Sequence, residues 1–102
     1  MKLIVSKKDI EYFLENFLDL SEFDQQGNKH YFIFQDHTRN GDWTLMFYPE
    51  EEKWTIHGKG LDYCDESEKE LTRTELIQFL FKSRKYVNNE LRSKKAVEPS
   101  YQ

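Results

Sequence analysis

Three histidines and one cysteine are the side chains of this 102-residue chain best suited to bind a transition metal or to act as a nucleophile. They are His30, His37, His57 and Cys64. Zinc binds imidazole nitrogens and thiolates at about 2 Å in a tetrahedral arrangement, so its ligands must converge on one point. A single cysteine permits no internal disulfide and excludes a cysteine-rich zinc module. Whether the histidines converge depends on the strands that carry them.

Those strands are predicted in the middle of the chain, where apolar and polar residues alternate. The predicted strands cover Tyr31–Phe34, Trp43–Tyr48 and Trp54–His57. Asn40 and Gly41 form the strongest two-residue hairpin signal, because both central positions of a type I′ turn need positive φ. With that turn, Phe34 faces Phe47 and His37 faces Thr44.

This predicted register argues against a metal site. An even-length second loop places His57 on the far side of Thr44 from His37, so the two imidazoles lie two strand spacings, about 10 Å, apart. His30 falls on the opposite face of the sheet from His37. The separation is too large for two ligands of one zinc ion. We therefore expect no metal and no cofactor.

Nucleophilic catalysis is not favoured either. Cys64 lies among Asp62, Asp65 and Glu66, and neighbouring carboxylates raise the pKa of a thiol and so oppose thiolate formation. The dipeptide Asp36-His37 cannot act as a pair, because neighbouring residues of a strand point to opposite faces. No serine lies in a Gly-x-Ser-x-Gly turn. The sequence predicts a protein that is not an enzyme.

The alternation sorts the predicted strands into two faces. The core face is expected to contain large apolar residues, namely Phe32, Phe34, Trp43, Leu45, Phe47, Trp54 and Ile56. The second face is mixed, and its aromatic and methionine side chains are types enriched at interfaces. The partner-binding residues predicted on this face are Tyr31, Ile33, Met46, Tyr48, Thr55 and His57. A partner protein, a second copy or the chain itself could cover it.

A first helix is predicted to begin after Ser6, because Ser6 and Asp9 have the spacing of a capping box. Val5 and Ile10 have the spacing of a hydrophobic staple. An apolar stripe then continues the helix to about Leu20. The stripe consists of Ile10, Phe13, Leu14, Phe17 and Leu18.

A second helix is predicted from Thr72 to about Lys95. Thr72 and Glu75 form a full capping box, and Leu71 with Leu76 forms its staple. Its apolar stripe is Leu76, Leu80, Val87 and Leu91. Basic side chains are concentrated in its later turns, where the helix dipole favours positive charge.

These elements predict an α+β fold of order α-β-β-β-α, a three-stranded antiparallel meander with two helices packed on one face. Residues 1–97 form a single domain and residues 98–102 a flexible tail. This order resembles that of the double-stranded-RNA-binding domain, which contacts phosphates near the start of its second helix. Here that region contains Glu68, Glu70 and Glu75, which would repel phosphate. The shared order therefore implies no RNA-binding activity.

Charge is distributed unevenly along the chain, whose net charge is −4. Residues 1–49, 50–75 and 76–102 carry −3, −5 and +4. Such asymmetry bears on partners rather than on fold. The acidic loop residues predicted to bind a partner are Glu50, Glu51, Glu52, Asp62, Asp65, Glu66, Glu68 and Glu70.

Together these features favour a non-enzymatic, intracellular protein-binding module. One form of it is an acidic inhibitor or nucleic-acid mimic of the phage or mobile-element type, whose partner is another protein or a second copy. The alternative is a nucleic-acid-binding domain that uses Lys82, Arg84 and Lys85. No stretch has the length of a signal peptide or a membrane span, so we expect a cytoplasmic protein without membrane contact.

Overall fold

The computed structural model describes residues 3–36, 41–58 and 68–94. The protein is a small α+β domain with an antiparallel sheet and helices. The described strands are β1 (Glu22–Asp24), β2 (Lys29–Asp36), β3 (Gly41–Tyr48), β4 (Lys53–Gly58) and β5 (Lys69–Leu71). The described helices are α1 (Lys7–Glu15), α2 (Phe17–Leu20), α3 (Arg73–Lys82) and α4 (Arg84–Ser93). The strands follow one another in the sheet in the order β1-β2-β3-β4-β5.

The predicted three-stranded meander forms the centre of this sheet, and two further strands lie at its edges. β1 pairs with β2 through a tight connection in which Asp24 accepts the amide of Gln26 at 3.0 Å. Asn28 closes the connection with a φ of 48°, a conformation that asparagine tolerates better than most residues. β5 pairs with β4 on the other side. The predicted α-β-β-β-α order is therefore too coarse.

The predicted register between the first two central strands is wrong by four residues, because the turn is centred two residues earlier in the chain than predicted. Phe34 pairs with Trp43 rather than with Phe47, and Thr44 faces Ile33 rather than His37. Gly41 pairs with Asp36 within the ladder, so it lies in the strand and not in a two-residue turn. This register gives β2 seven paired residues with β3. The predicted contacts of His37 lie outside the described residues.

The assignment of residues to faces is confirmed in spite of this shift, because a register shift by an even number of residues keeps each side chain on the same face. Phe32, Phe34, Trp43, Leu45 and Ile56 are buried in one core cluster. Phe47 and Trp54 pack against that cluster from its margin, and their rings are 4.7 Å apart. Because four residues separate β3 from β4, Trp54 and Ile56 share the core face as predicted.

Helices cover the core face with aromatic contacts. The Phe13 ring of α1 lies 5.4 Å from that of Phe32, and the Phe17 ring of α2 lies 4.9 Å from that of Trp54. Phe79 of α3 lies 5.3 Å from Trp43. Edge-to-face and tilted ring pairs add specific geometry to the area that each ring buries. The predicted covering of one face by helices is thus observed.

Each long helix predicted from the sequence is two shorter helices. The first is interrupted at Asn16 and the second at Ser83. Of the first predicted stripe, Phe17 lies after the break and is still buried, whereas Leu18 is 52% exposed. Leu76, Leu80, Val87 and Leu91 are all buried. The second stripe therefore survives its break, since both segments keep their apolar sides on the sheet.

The segment before α1 is held by a side chain that the sequence did not single out. Asn88 accepts the amide of Ile4 at 2.8 Å and donates to the Ile4 carbonyl at 2.9 Å. Ile4 is consequently buried, whereas Val5 is 75% exposed. The predicted staple between Val5 and Ile10 is wrong, because the clasp on Ile4 turns Val5 toward solvent. The Asp9 carboxylate does cap the helix, accepting the amides of Val5 and Ser6 at 3.0 Å each.

Candidate partner-binding surfaces

The second face of the sheet contains a direct row of cross-strand neighbours. In order across the sheet the row is Glu22, Tyr31, Met46, Thr55 and Glu70. Met46 and Thr55, at its centre, are each 3% exposed. Both terminal glutamates are exposed. The row therefore has a buried centre and a carboxylate at each end.

Of the six residues predicted to bind a partner on this face, Ile33 is the most open. It is 42% exposed, and its cross-strand neighbour is Thr44. Tyr31, Tyr48 and His57 are half-buried. Met46 and Thr55 are too deeply buried to contact a partner directly. The accessible part of the predicted site is thus smaller than expected.

Tyr48 and Thr55 hold the Glu68 carboxylate against this face. The Tyr48 hydroxyl donates to Glu68 at 2.7 Å and 2.5 Å, and the Thr55 hydroxyl donates to it at 2.9 Å. Burial, together with the bond to the negatively charged Glu68, raises the pKa of Tyr48 to about 12. The hydroxyl therefore stays a neutral donor throughout the physiological pH range.

Lys53 interacts with carboxylates from two distant segments. Its Nζ is 2.9 Å from the Glu51 carboxylate and 5.0 Å from the centre of the Tyr48 ring. The hydrogen bond with Glu51 raises the pKa of Lys53, and the charges of Glu70 and Glu68 add to that effect. We call Glu51, Glu68 and Glu70 the acidic cluster. Glu51 forms an ion pair with Lys53, and the charges of Glu68 and Glu70 act on the same lysine.

The remaining predicted acidic residues divide between the turn after β3 and the segment after β4. Glu50 and Glu52 are exposed in the turn, and Glu52 has a φ of 51°, which is unusual for a glutamate. Asp62, Asp65 and Glu66 lie outside the described residues. The pairing of β4 with both β3 and β5 brings the turn after β3 near the start of β5.

A shallow groove of about 420 Å³ opens on the second face beside the acidic cluster. Its lining is Lys29, Thr44, Met46, His57 and Glu68. Lys29 and Thr44 were not among the predicted partner-binding residues. The first predicted strand began at Tyr31, whereas β2 begins at Lys29, so Lys29 was not placed on the sheet.

The basic residues predicted as an alternative site lie at the junction of α3 and α4. Lys82 ends α3, and Arg84 and Lys85 begin α4. Arg84 donates to the Phe81 carbonyl at 2.7 Å, and its guanidinium carbon lies 4.2 Å from the Phe81 ring centre. Lys7 of α1 approaches the same ring at 5.7 Å, a contact that the sequence did not reveal.

No family model, curated protein or solved structure matches this chain significantly. Within the described residues, no group of three or more histidine, cysteine, aspartate or glutamate side chains could hold a metal ion. In the same part of the chain, every helix is too short or too polar to cross a membrane.

Proposed function

We propose that the protein is a non-enzymatic binding module whose second sheet face and acidic cluster bind a basic partner protein. The observation that supports this most is that three carboxylates lie on neighbouring strands and turns beside the second face. Glu51, in the turn after β3, contacts Lys53 at 2.9 Å. Glu68, just before β5, accepts from Tyr48, and Glu70, within β5, pairs with Thr55. Charge of one sign on a surface steers association with a partner of opposite charge.

Ordered side chains favour this surface over an ordinary solvated loop. The bonds from Tyr48 and Thr55 fix Glu68, so less side-chain entropy would be lost when a partner binds it. The Tyr48 ring lies beside Glu68, and Ile33 adds exposed apolar area elsewhere on the same face. An acidic inhibitor that presents carboxylates to a basic groove would use this combination.

A matched pair of charge-neutralised variants tests the proposal. Glu51→Gln/Glu70→Gln removes two charges from the acidic cluster, while leaving the Glu68 network in place. Glu15→Gln/Asp19→Asn removes two charges from exposed positions on α1 and α2. Each immobilised variant is compared with the unaltered protein by quantitative mass spectrometry of the proteins captured from source cells.

We expect the cluster variant to lose basic partners by about tenfold, since contacts between close opposite charges contribute several kcal/mol. The control variant should retain them. Equal capture by the two variants would reject the acidic cluster as the binding surface. An equal loss in both variants would show that capture depends only on the net charge of the protein. Light scattering completes the test, because a dimer that the cluster variant dissociates would identify a second copy as the occupant instead.

A further inference from the structure

The junction of α3 and α4 gathers positive charge from two distant parts of the chain. Lys82, Arg84 and Lys85 come from the junction itself, and Lys7 comes from the first turn of α1. Lys7 and Arg84 both lie against the Phe81 ring, and Lys85 follows Arg84 in the first turn of α4. Lys82 lines a separate groove with Glu75 and Lys69. We call Lys7, Arg84 and Lys85 the basic patch. Lys7 and Lys85 are exposed.

The break at Ser83 changes how these charges interact with the helix dipole. In one continuous helix they would lie in its later turns, where the dipole stabilises cations. The break instead places Arg84 and Lys85 in the first turn of α4, which contains no acidic residue. A cation at a helix N-terminus is disfavoured by about 0.3–1 kcal/mol. Helix stability therefore does not account for Lys85, nor for Lys7 at the start of α1.

Arg84 is partly compensated and also pre-ordered. Its bond to the Phe81 carbonyl satisfies an acceptor in the last turn of α3, and the ring supports its guanidinium. A guanidinium has five N–H donors, so further donors remain for a ligand. An arginine whose side chain is already held loses less entropy on binding a phosphate.

The carboxylates of α1 that could neutralise the patch are engaged elsewhere. Asp9 accepts the amides of Val5 and Ser6, and Glu11 forms an ion pair with Arg73. Lys8 lies about 100° further around α1 than Lys7 and lines a separate groove with Asp9, Glu11 and Glu15. The positive charge at the junction is therefore local to the basic patch.

We propose that the basic patch binds the phosphodiester backbone of a nucleic acid. Arginine matches phosphate through paired donors, and lysine attracts it as a point charge. Three cations from two distant parts of the chain suit a ligand with repeated charges better than a single anion. Because the whole chain carries −4, binding rests on the patch alone and falls steeply with salt.

Fluorescence anisotropy of a labelled oligonucleotide, single-stranded and duplex, tests this proposal over a salt series. Lys7→Glu/Lys85→Glu alters the patch without removing the bonds of Arg84. The control, Lys8→Glu/Lys69→Glu, makes the same change of charge at two exposed positions outside the patch. Circular dichroism establishes that all variants are folded.

We expect the patch variant to bind about tenfold more weakly and to show a salt slope reduced by about 1.5, as the loss of two phosphate contacts requires. The control should keep the slope of the unaltered protein. Absence of binding at low salt, or equal weakening in both variants, would overturn the proposal. Equal competition by poly-glutamate would also overturn it, since the ligand would then be an acidic polypeptide.

This proposal does not rest on the acidic cluster. Glu51→Gln/Glu70→Gln should bind the oligonucleotide at least as tightly as the unaltered protein, because it removes repulsive charge. Loss of oligonucleotide binding in that variant would show that the two surfaces are not independent, and would reject the basic patch as a separate site.

Discussion

The two faces of the sheet are built from the same strands but are stabilised differently. On the core face, Phe32, Trp43 and Leu45 are buried against helices and their contacts are apolar. On the second face, Met46 and Thr55 are equally buried, yet their surroundings include the Tyr48–Glu68 bonds and exposed carboxylates. The comparison shows that low exposure alone does not define the core. The polar surroundings of the second face make it suited to binding, whereas the apolar surroundings of the core face stabilise the fold.

The same substitution on each face should give the largest contrast. Ile56 is 2% exposed on the core face, whereas Ile33 is 42% exposed on the second face. We expect Ile56→Ala to lower the free energy of unfolding by about 2–5 kcal/mol, because it leaves a cavity among the packed rings. Ile33→Ala should cost less than about 1 kcal/mol. Urea unfolding of both variants measures the difference, and equal losses would remove the distinction between the faces.

The contact between Trp43 and Gly58 should give the next largest effect. These residues are paired across β3 and β4, and a Cβ on Gly58 would lie 2.6 Å from the indole ring. We expect Gly58→Ala to cost about 1–3 kcal/mol, because the buried ring has no room to move.

Gly27 provides the control for this prediction. A Cβ there would meet the flexible end of Lys29 at 3.2 Å, so Gly27→Ala should change stability little. Thermal unfolding of the two alanine variants compares them. If Gly58→Ala is as stable as Gly27→Ala, the close approach of Trp43 is not a constraint on the core face.

On the second face, Tyr48→Phe should cost about 0.5–1.5 kcal/mol, the typical net value of a hydrogen bond. The dependence on pH has a definite sign. The pKa of Tyr48 is raised above its ordinary value of 10.0 to about 12. Its contribution to stability is therefore fully present below pH 10 and is lost as the pH rises to about 12. Absorbance of the phenolate during alkaline titration, with Tyr48→Phe as the reference, assigns this transition.

The smallest effect should come from Tyr31→Phe on the same face. The Tyr31 hydroxyl donates to Glu22 at 2.7 Å, and this bond raises the pKa of the tyrosine. The hydrogen bond is exposed to solvent and involves one carboxylate at the edge of the sheet, so we expect a smaller loss of stability than for Tyr48→Phe. A loss equal to that of Tyr48→Phe would mean that the Glu68 network adds nothing special to the second face.

Much of the sheet could be predicted because alternation has a period of two. That period assigned Phe32, Phe34, Trp43 and Leu45 to the core face even though the length of the turn between β2 and β3 was misjudged. The Asn-Gly pair gave the wrong register, because Gly41 pairs within the ladder instead of occupying a turn. β1 and β5 have only three residues each, which is too short for alternation to distinguish them from loops.

The helix breaks and the clasp could not be predicted for a different reason. Asn16 and Ser83 are only mild helix breakers, so local sequence did not mark the two interruptions. Asn88 is polar and lies beside Val87 of the apolar stripe, and only the nearby Ile4 backbone explains its burial. The sequence showed the acidic residues in two separate segments. Glu70 lies beside Thr55 on the second face because β4 pairs with β5, and the sequence did not indicate that pairing.

The clasp between Asn88 and Ile4 also has a consequence for the order of folding. It joins residues 84 positions apart, so we expect it to form after α4 has packed on the sheet. Contacts of such long range are costly to close before the intervening chain is ordered. Weakening the clasp should therefore speed unfolding more than it slows folding. The Ile4 amide would then report, by hydrogen exchange, whether the N-terminal segment opens before the rest of the molecule.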